Sequence, residues 1–263
     1  MPVTDDLQLL IDAAHASGDI ARKYFNAAPE VWDKAGNAGP VTEADLAIDK
    51  MLNADLLSAR NDYGWLSEET EDSRARLSHD RVFIIDPIDG TRAFIAGERH
   101  FSHSLAIAQN GRITSAVVYL PMMDLLFAAT EADKSTLNGE NISTSSRPDF
   151  DGATVLASKP NMRPECWIGD VPPVQRKFRP SLAYRMCLVA QGRYDAMLTL
   201  RDSWEWDIAA GDLIVRQAGG TVTDRHDNPL AFNSPHPKTK GCHAAGPSLH
   251  KALQARIRQP NPK

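Results

Sequence analysis

The chain has 263 residues, 42% apolar and 24% charged, with 29 Lys and Arg against 34 Asp and Glu for a formal net charge of -5. Such proportions describe an ordinary globular protein long enough to bury a substantial core, and they exclude a disordered chain, a coiled coil and a collagen-like fibre. The acidic balance, the lack of a long Lys/Arg run and the lack of an apolar stretch of about 18 residues argue against a nucleic-acid polymer as partner and against membrane insertion.

MPVTDDLQLL carries two acids where a secretory leader has basic residues, so a cytoplasmic location is expected. Cys166, Cys187 and Cys242 are far apart and fit a reducing compartment, with Cys187 in MCLVA reading as a small buried hydrophobe. Leu7, Leu10, Ile11, Ala14, Ala21 and Phe25 recur at helical spacing and predict an amphipathic helix. A segment rich in Gly and Pro spans 29–40. Thr42 to Asp45 then reads as a capping box opening a second helix that carries Ala44, Ile48, Met51 and Leu52. Strands are predicted at 82–86, 104–109 and 113–120, the last two joined by Asn110-Gly111, a hairpin signal that makes the sheet partly antiparallel. From about 151 shorter units follow: TVLAS, a Pro-rich stretch through Pro180, the apolar SLAYRMCLVAQG, YDAMLTL, a helix from Trp206 to Ala218 stopped by Gly219-Gly220, TVTD, a closing helix near 248–257 and a polar tail, QPNPK. No flexible linker divides the chain. One compact α/β unit is expected over 1–263, with subregions 1–150 and 151–263.

The most informative stretch is RVFIIDPIDGT. Its apolar run leads into Asp86, and Pro87, which cannot donate to a sheet ladder, should end the strand there. Asp86 then sits at a strand's carboxyl end, where open α/β sheets place ligands, and Asp89 follows three residues on. Gly90-Thr91 permits a tight turn into AFIAG, whose first N–H groups could face an anion. Taken alone, D-P-x-D-G has a second reading as two acids capping a turn. Glu68 and Glu69 follow the apolar pair Trp65-Leu66, and Asp207 follows Trp206 at a helix start, in settings costly for an acid without a cation. Asp207 is equally a favourable charge at a helix N-terminus, and Asp45 the acidic partner of Thr42. His100 and His103, three apart without a third His, read as ordinary loop histidines and not as zinc ligands.

In order, PVTEAD, LSEE, DPIDGT and WDIAAG followed by QAGG resemble the inositol monophosphatase family of magnesium-dependent, lithium-sensitive phosphatases over about residues 7–246. The resemblance implies a layered α/β/α/β/α sandwich with mixed, partly antiparallel sheets, and a homodimer. It implies Glu68, Asp86, the Ile88 carbonyl, Asp89 and Asp207 as ligands of two or three Mg2+ ions. Thr91 would help orient the attacking water, Asp45 would lie near a third metal, and Gly90 and Thr91 would donate backbone N–H groups to phosphate. Lys34 falls near the family's site lysine. An all-oxygen ligand set suits magnesium better than zinc. On this pattern one ion, on Glu68, Asp86 and the Ile88 carbonyl, activates a water held by Glu68 and Thr91, and a second, on Asp86, Asp89 and Asp207, stabilises the leaving oxygen.

The resemblance implies a small phosphorylated metabolite as substrate. Family members specific for inositol carry an acid some seven positions before the WD pair, where this chain has Thr199-Leu200. Arg92 and Arg185 fall where 3'(2'),5'-bisphosphate nucleotidases have basic residues and would suit a second phosphate; as solvated surface arginines they would do nothing. EADKST replaces the family's G-x-G-A turn, and Pro180-Ser181 its Gly-Ser pair. The expected reaction is removal of the 3'-phosphate of adenosine 3',5'-bisphosphate. The alternatives are inositol-1-phosphate hydrolysis and a non-catalytic regulatory or binding protein on the same fold.

Overall fold

The computed structural model describes residues 3–27, 29–34, 36 and 39–259. The expected tail lies outside these residues beyond Gln259, as does part of the 29–40 segment. α1 (Val3–Tyr24) is followed by a short antiparallel pair, β1 (Val31–Asp33) and β2 (Pro40–Thr42), and then by α2 (Glu43–Ala59). Thr42 caps α2 with the expected reciprocal bonds: Thr42 N–H donates to Asp45 Oδ2 at 2.9 Å, and Asp45 N–H to Thr42 Oγ1 at 3.3 Å. Among the described residues no helix is long and apolar enough to cross a membrane.

A seven-stranded sheet comes next, with β3 (Gly64–Ser67), β4 (Arg81–Asp89), β5 (Ser102–Gln109), β6 (Arg112–Leu120), β7 (Leu125–Thr130), β8 (Thr136–Leu137) and β9 (Glu140–Asn141) in sequence order. Only β3 and β4 are parallel; every other pairing is antiparallel. Asn110 and Gly111 turn β5 into β6 with φ of 51° and 78°, the left-handed conformation that a two-residue hairpin needs.

β4 does not end at Pro87. Pairing with β5 continues to Asp89↔Ser102 across a register shift between Asp86 and Asp89, so Pro87 sits in a bulge where no ladder N–H is required of it. Gly90, with φ of 102°, then starts the short α3 (Thr91–Ile95).

The second sheet has the order β11-β10-β12-β16-β14, formed by β10 (Thr154–Ala157), β11 (Gln175–Lys177), β12 (Ala196–Thr199), β14 (Thr221–Thr223) and β16 (Cys242–Ala245). α4 (Leu182–Ala190) and α5 (Glu205–Gln217) lie between the sheets, and α6 (Pro247–Gln254) lies outside the second. β13 (Ser203–Trp204) and β15 (Lys238–Thr239) form a small antiparallel pair beside the start of α5.

The layers follow from alternation along strands that are apolar on both faces. In β4, Phe83 and Ile85 pack with Leu10 and Leu52 of α1 and α2, whereas Val82 and Ile84 pack with Met186 of α4 and Leu213 of α5. Leu156 and Met197 close that second layer from the other sheet, and Val155 and Leu198 face Leu249 and Leu253 of α6. The result is an α/β/α/β/α sandwich with mixed sheets. α4 and α5 touch closely because position 211 is glycine: a Cβ there would stand 2.6 Å from Met186 Sδ.

Between the second sheet and α6, His243 and His250 stack with ring centroids 3.8 Å apart and planes 11° from parallel. Thr223 Oγ1 lies 3.0 Å from His250 Nε2. Burial pushes the two imidazoles down to about 3 and about 4, the His243 ring being further depressed by its neighbour. Both folded values lie below that of an unfolded histidine, near 6.5. Their contribution to stability is therefore present above that value and lost as pH falls toward 4. His250→Leu should remove about 2 kcal/mol from the loss of unfolding free energy between pH 7 and pH 5 in denaturant titrations. Equal losses in parent and variant would exclude this titration.

Candidate metal centre

Because β3 and β4 are parallel neighbours, the chain leaves both at the same edge of the sheet. Glu68 follows β3 directly, and its N–H donates to Ile85 O at 3.2 Å, one residue before Asp86. Asp207, in the first turn of α5, comes from the opposite layer. Glu68, Asp86 and Asp207 each bring one carboxylate oxygen within 4.8 Å of the others. Asp89 is oriented by the start of α4, its Oδ2 accepting from Ser181 Oγ and Ala183 N–H at 2.7 Å each.

Asp86 is 1% exposed, and neither of its oxygens has a hydrogen-bond partner among the described residues. Burial, reinforced by the neighbouring carboxylates, raises Asp86 and Asp207 well above the usual carboxylate range, and burial raises Asp89 to about 6. Lys34 pairs with Glu68 of the cluster and with Glu69, and not with Asp86: its Nζ lies 2.7 Å from Glu68 Oε1 and 2.6 Å from Glu69 Oε1. A buried carboxylate without donor or cation costs several kcal/mol. Three convergent carboxylates with Asp89 beside them, one of the three lacking every partner among the described residues, fit a hard divalent cation.

Around these acids lies a cavity of about 580 Å³ whose lining includes Glu68, Asp86, Ile88, Asp89, Gly90, Thr91, Arg92, Arg185 and Asp207. Asp45, also expected at the site, lies behind Thr91. Thr91 Oγ1 is 3.4 Å from Asp45 Oδ1 and 3.2 Å from Ile88 O. Burial brings Asp45 up to about 6.

The two arginines differ. Arg92 is exposed, with its guanidinium beside Gly39. Arg185 is buried and committed: Nε donates to Arg179 O at 2.5 Å, one terminal nitrogen to Pro180 O at 3.3 Å, and the guanidinium lies 4.4 Å from the Phe178 ring centre. It holds the loop that carries Ser181.

Three features escaped the sequence reading. Arg201, exposed on the cavity wall, had no motif to mark it. Ser181 caps α4, and a serine before an apolar run could have announced it. His103 is not a loop residue but a buried member of β5, its Nδ1 2.5 Å from Pro87 O in the acid-bearing turn; burial holds its pKa down to about 4.

The inositol monophosphatase family model matches residues 4–262. Among curated relatives, an inositol-1-monophosphatase of Rhizobium meliloti is 30% identical over 97% of each chain. Nus factor SuhB of Salmonella typhimurium is 32% identical over 96% of this chain and 95% of its own. Among solved structures, an IMPase of Thermotoga maritima superposes with a TM-score of 0.81 at 28% identity, covering 95% of this chain and 96% of its own.

The raised carboxylates make the metal-free site most favourable to folding at low pH, with stability lost as pH rises through about 6 for Asp89. Asp86→Asn should therefore stabilise the protein in EDTA at pH 7 by on the order of 1 kcal/mol. It should also abolish the rise in Tm that Mg2+ gives the parent. Thermal melts in EDTA and Mg2+ check both effects; equal Mg2+ responses would remove Asp86 from the metal centre.

Proposed function

Because the chain belongs to the inositol monophosphatase family, we propose that it is a Mg2+-dependent phosphatase that removes the 3'-phosphate of adenosine 3',5'-bisphosphate. The observation carrying this reading is the Asp86 carboxylate, buried beside Glu68 and Asp207 without a hydrogen-bond partner among the described residues. Glu68, Asp86, the Ile88 carbonyl, Asp89 and Asp207 would hold two ions, with a third toward Asp45. When bound, the ions would neutralise the phosphate dianion, lower the pKa of a water and stabilise the departing alkoxide.

The chain's own residues do the rest. Thr42 N–H holds Asp45 Oδ2 at 2.9 Å, leaving Oδ1 for the Thr91 hydroxyl. With one proton to give, Thr91 Oγ1 donates toward Asp45 and keeps a lone pair for the attacking water, whose proton passes to that oxygen as the hydroxyl proton moves to Asp45 Oδ1. A carboxyl near 6 suits such a transfer at neutral pH. The backbone N–H groups of Gly90 and Thr91, at the turn into α3, would hold phosphate oxygens. Ser181 and Ala183 fix Asp89, and Arg185 supports them through the 178–181 loop.

The choice of a bisphosphate rests on charge. Arg92 and Arg201 are exposed on the cavity wall, Thr199 offers no carboxylate there for ring hydroxyls, and Leu200 is buried in the core beneath α6. Inositol 1-phosphate is the alternative that the Rhizobium relative's name favours. The SuhB relatives favour a further reading, a factor acting without turnover. A homodimer in the cytoplasm completes the proposal.

A phosphate-release panel of adenosine 3',5'-bisphosphate, inositol 1-phosphate, fructose 1,6-bisphosphate and histidinol phosphate, with and without Mg2+, tests it. Faster release from inositol 1-phosphate would overturn the substrate, and no release from any compound would favour the non-catalytic reading. Thr91→Val should lower single-turnover rates about a hundredfold while the Mg2+-induced rise in Tm persists. An unchanged rate would remove Thr91 from the proton path. Arg201→Ala should raise KM for adenosine 3',5'-bisphosphate about tenfold or more, the worth of one charge-assisted contact, and leave KM for inositol 1-phosphate unchanged. Equal effects on both would assign Arg201 to the scissile phosphate.

A further inference from the structure

Glu68 also lines a second cavity, of about 500 Å³, between the segment after β3 and the β13–β15 pair. Its apolar wall begins with two stacked indoles, Trp204 and Trp206, with centroids 4.6 Å apart and planes 13° from parallel, and Pro235 and Pro237 extend it. That volume suits a molecule of one or two rings.

The charges of the lining are mostly balanced from within. Glu68 is paired with Lys34 at 2.7 Å, and Asp72 accepts from Arg76 at 2.7 and 2.9 Å. Lys238 is different. Its Nζ lies 3.8 Å from the centre of the Trp204 ring, on an exposed residue, with no carboxylate partner among the described residues. The lining therefore keeps, among the described residues, one full positive charge without a carboxylate partner, beside an aromatic surface. An occupant that satisfies that charge and covers the indoles supplies a negative group and a flat apolar body.

We propose that this cavity is a second ligand site, selective for a planar aromatic anion, with Lys238 pairing the anionic group and the Trp204–Trp206 stack and the two prolines covering the ring. It is independent of the phosphatase reading.

Naphthalene-1-sulfonate is a suitable probe, because it is planar, aromatic and anionic and has no phosphoryl group to hydrolyse. Calorimetric titration into the full chain with Mg2+ should give saturable one-site binding. Lys238→Glu should weaken binding at least about tenfold, and Lys238→Arg should hold it within about threefold. Asp86→Asn should leave it unchanged, which separates this site from the metal cavity. Absence of saturable binding at millimolar probe, equal affinity in Lys238→Glu and parent, or loss of binding in Asp86→Asn would each overturn the proposal.

Discussion

Asp86 closes a run of buried apolar residues in β4, and among the described residues no donor reaches its carboxylate. An anion in that position is unstable by itself, so the surroundings must bring either protons or cations to it. Much of the architecture serves this arrangement. The parallel pairing of β3 with β4 delivers Glu68 to the same edge, the bulge at Pro87 turns Asp89 inward while pairing with β5 continues, and the close contact of α4 with α5 brings Asp207 and Ser181 from the opposite layer. Burial raises the carboxyls of Asp86, Asp89 and Asp207, and the neighbouring carboxylates raise them further. A site that concentrates like charges in a dry place stores binding energy for multivalent cations and, through them, for a phosphate dianion.

The parts of this arrangement that a sequence encodes locally were legible. The Thr42–Asp45 capping box, the Asn110-Gly111 hairpin and the apolar run into Asp86 are short-range patterns with local causes, and all three occur where expected. The end of β4 was misplaced because Pro87 is tolerated only through a bulge, and that bulge is made by a partner strand thirteen or more residues away in β5. α4 gave no helical signal because every residue from Leu182 to Ala190 is buried, so no polar face sets off its period. The order of the second sheet, with β16 between β12 and β14, depends on contacts between distant segments.

At the site the same division holds. Acids within motifs were readable, whereas Arg201, a lone arginine brought to the cavity by packing, was not. Asp45 illustrates both sides: its capping role is visible three residues away, and its contact with Thr91, 46 positions on, emerges only from the fold. Arg185, which lines the cavity, also holds the loop before α4 through the Arg179 and Pro180 carbonyls, contacts that its sequence position does not announce. Recognition of the leaving group therefore depends on side chains whose neighbours are set by tertiary structure, and it is less legible than a metal centre built from short motifs.

The central claim is that the buried acid cluster is a cation site. Crystals soaked in Mn2+, a redox-stable stand-in for Mg2+ with a measurable anomalous signal, test it directly. An anomalous peak among Glu68, Asp86 and Asp207 is the predicted result, absent from crystals of the Asp86→Asn variant soaked in parallel. No peak at saturating Mn2+, or peaks confined to other acids with Asp86 left uncoordinated, would contradict it.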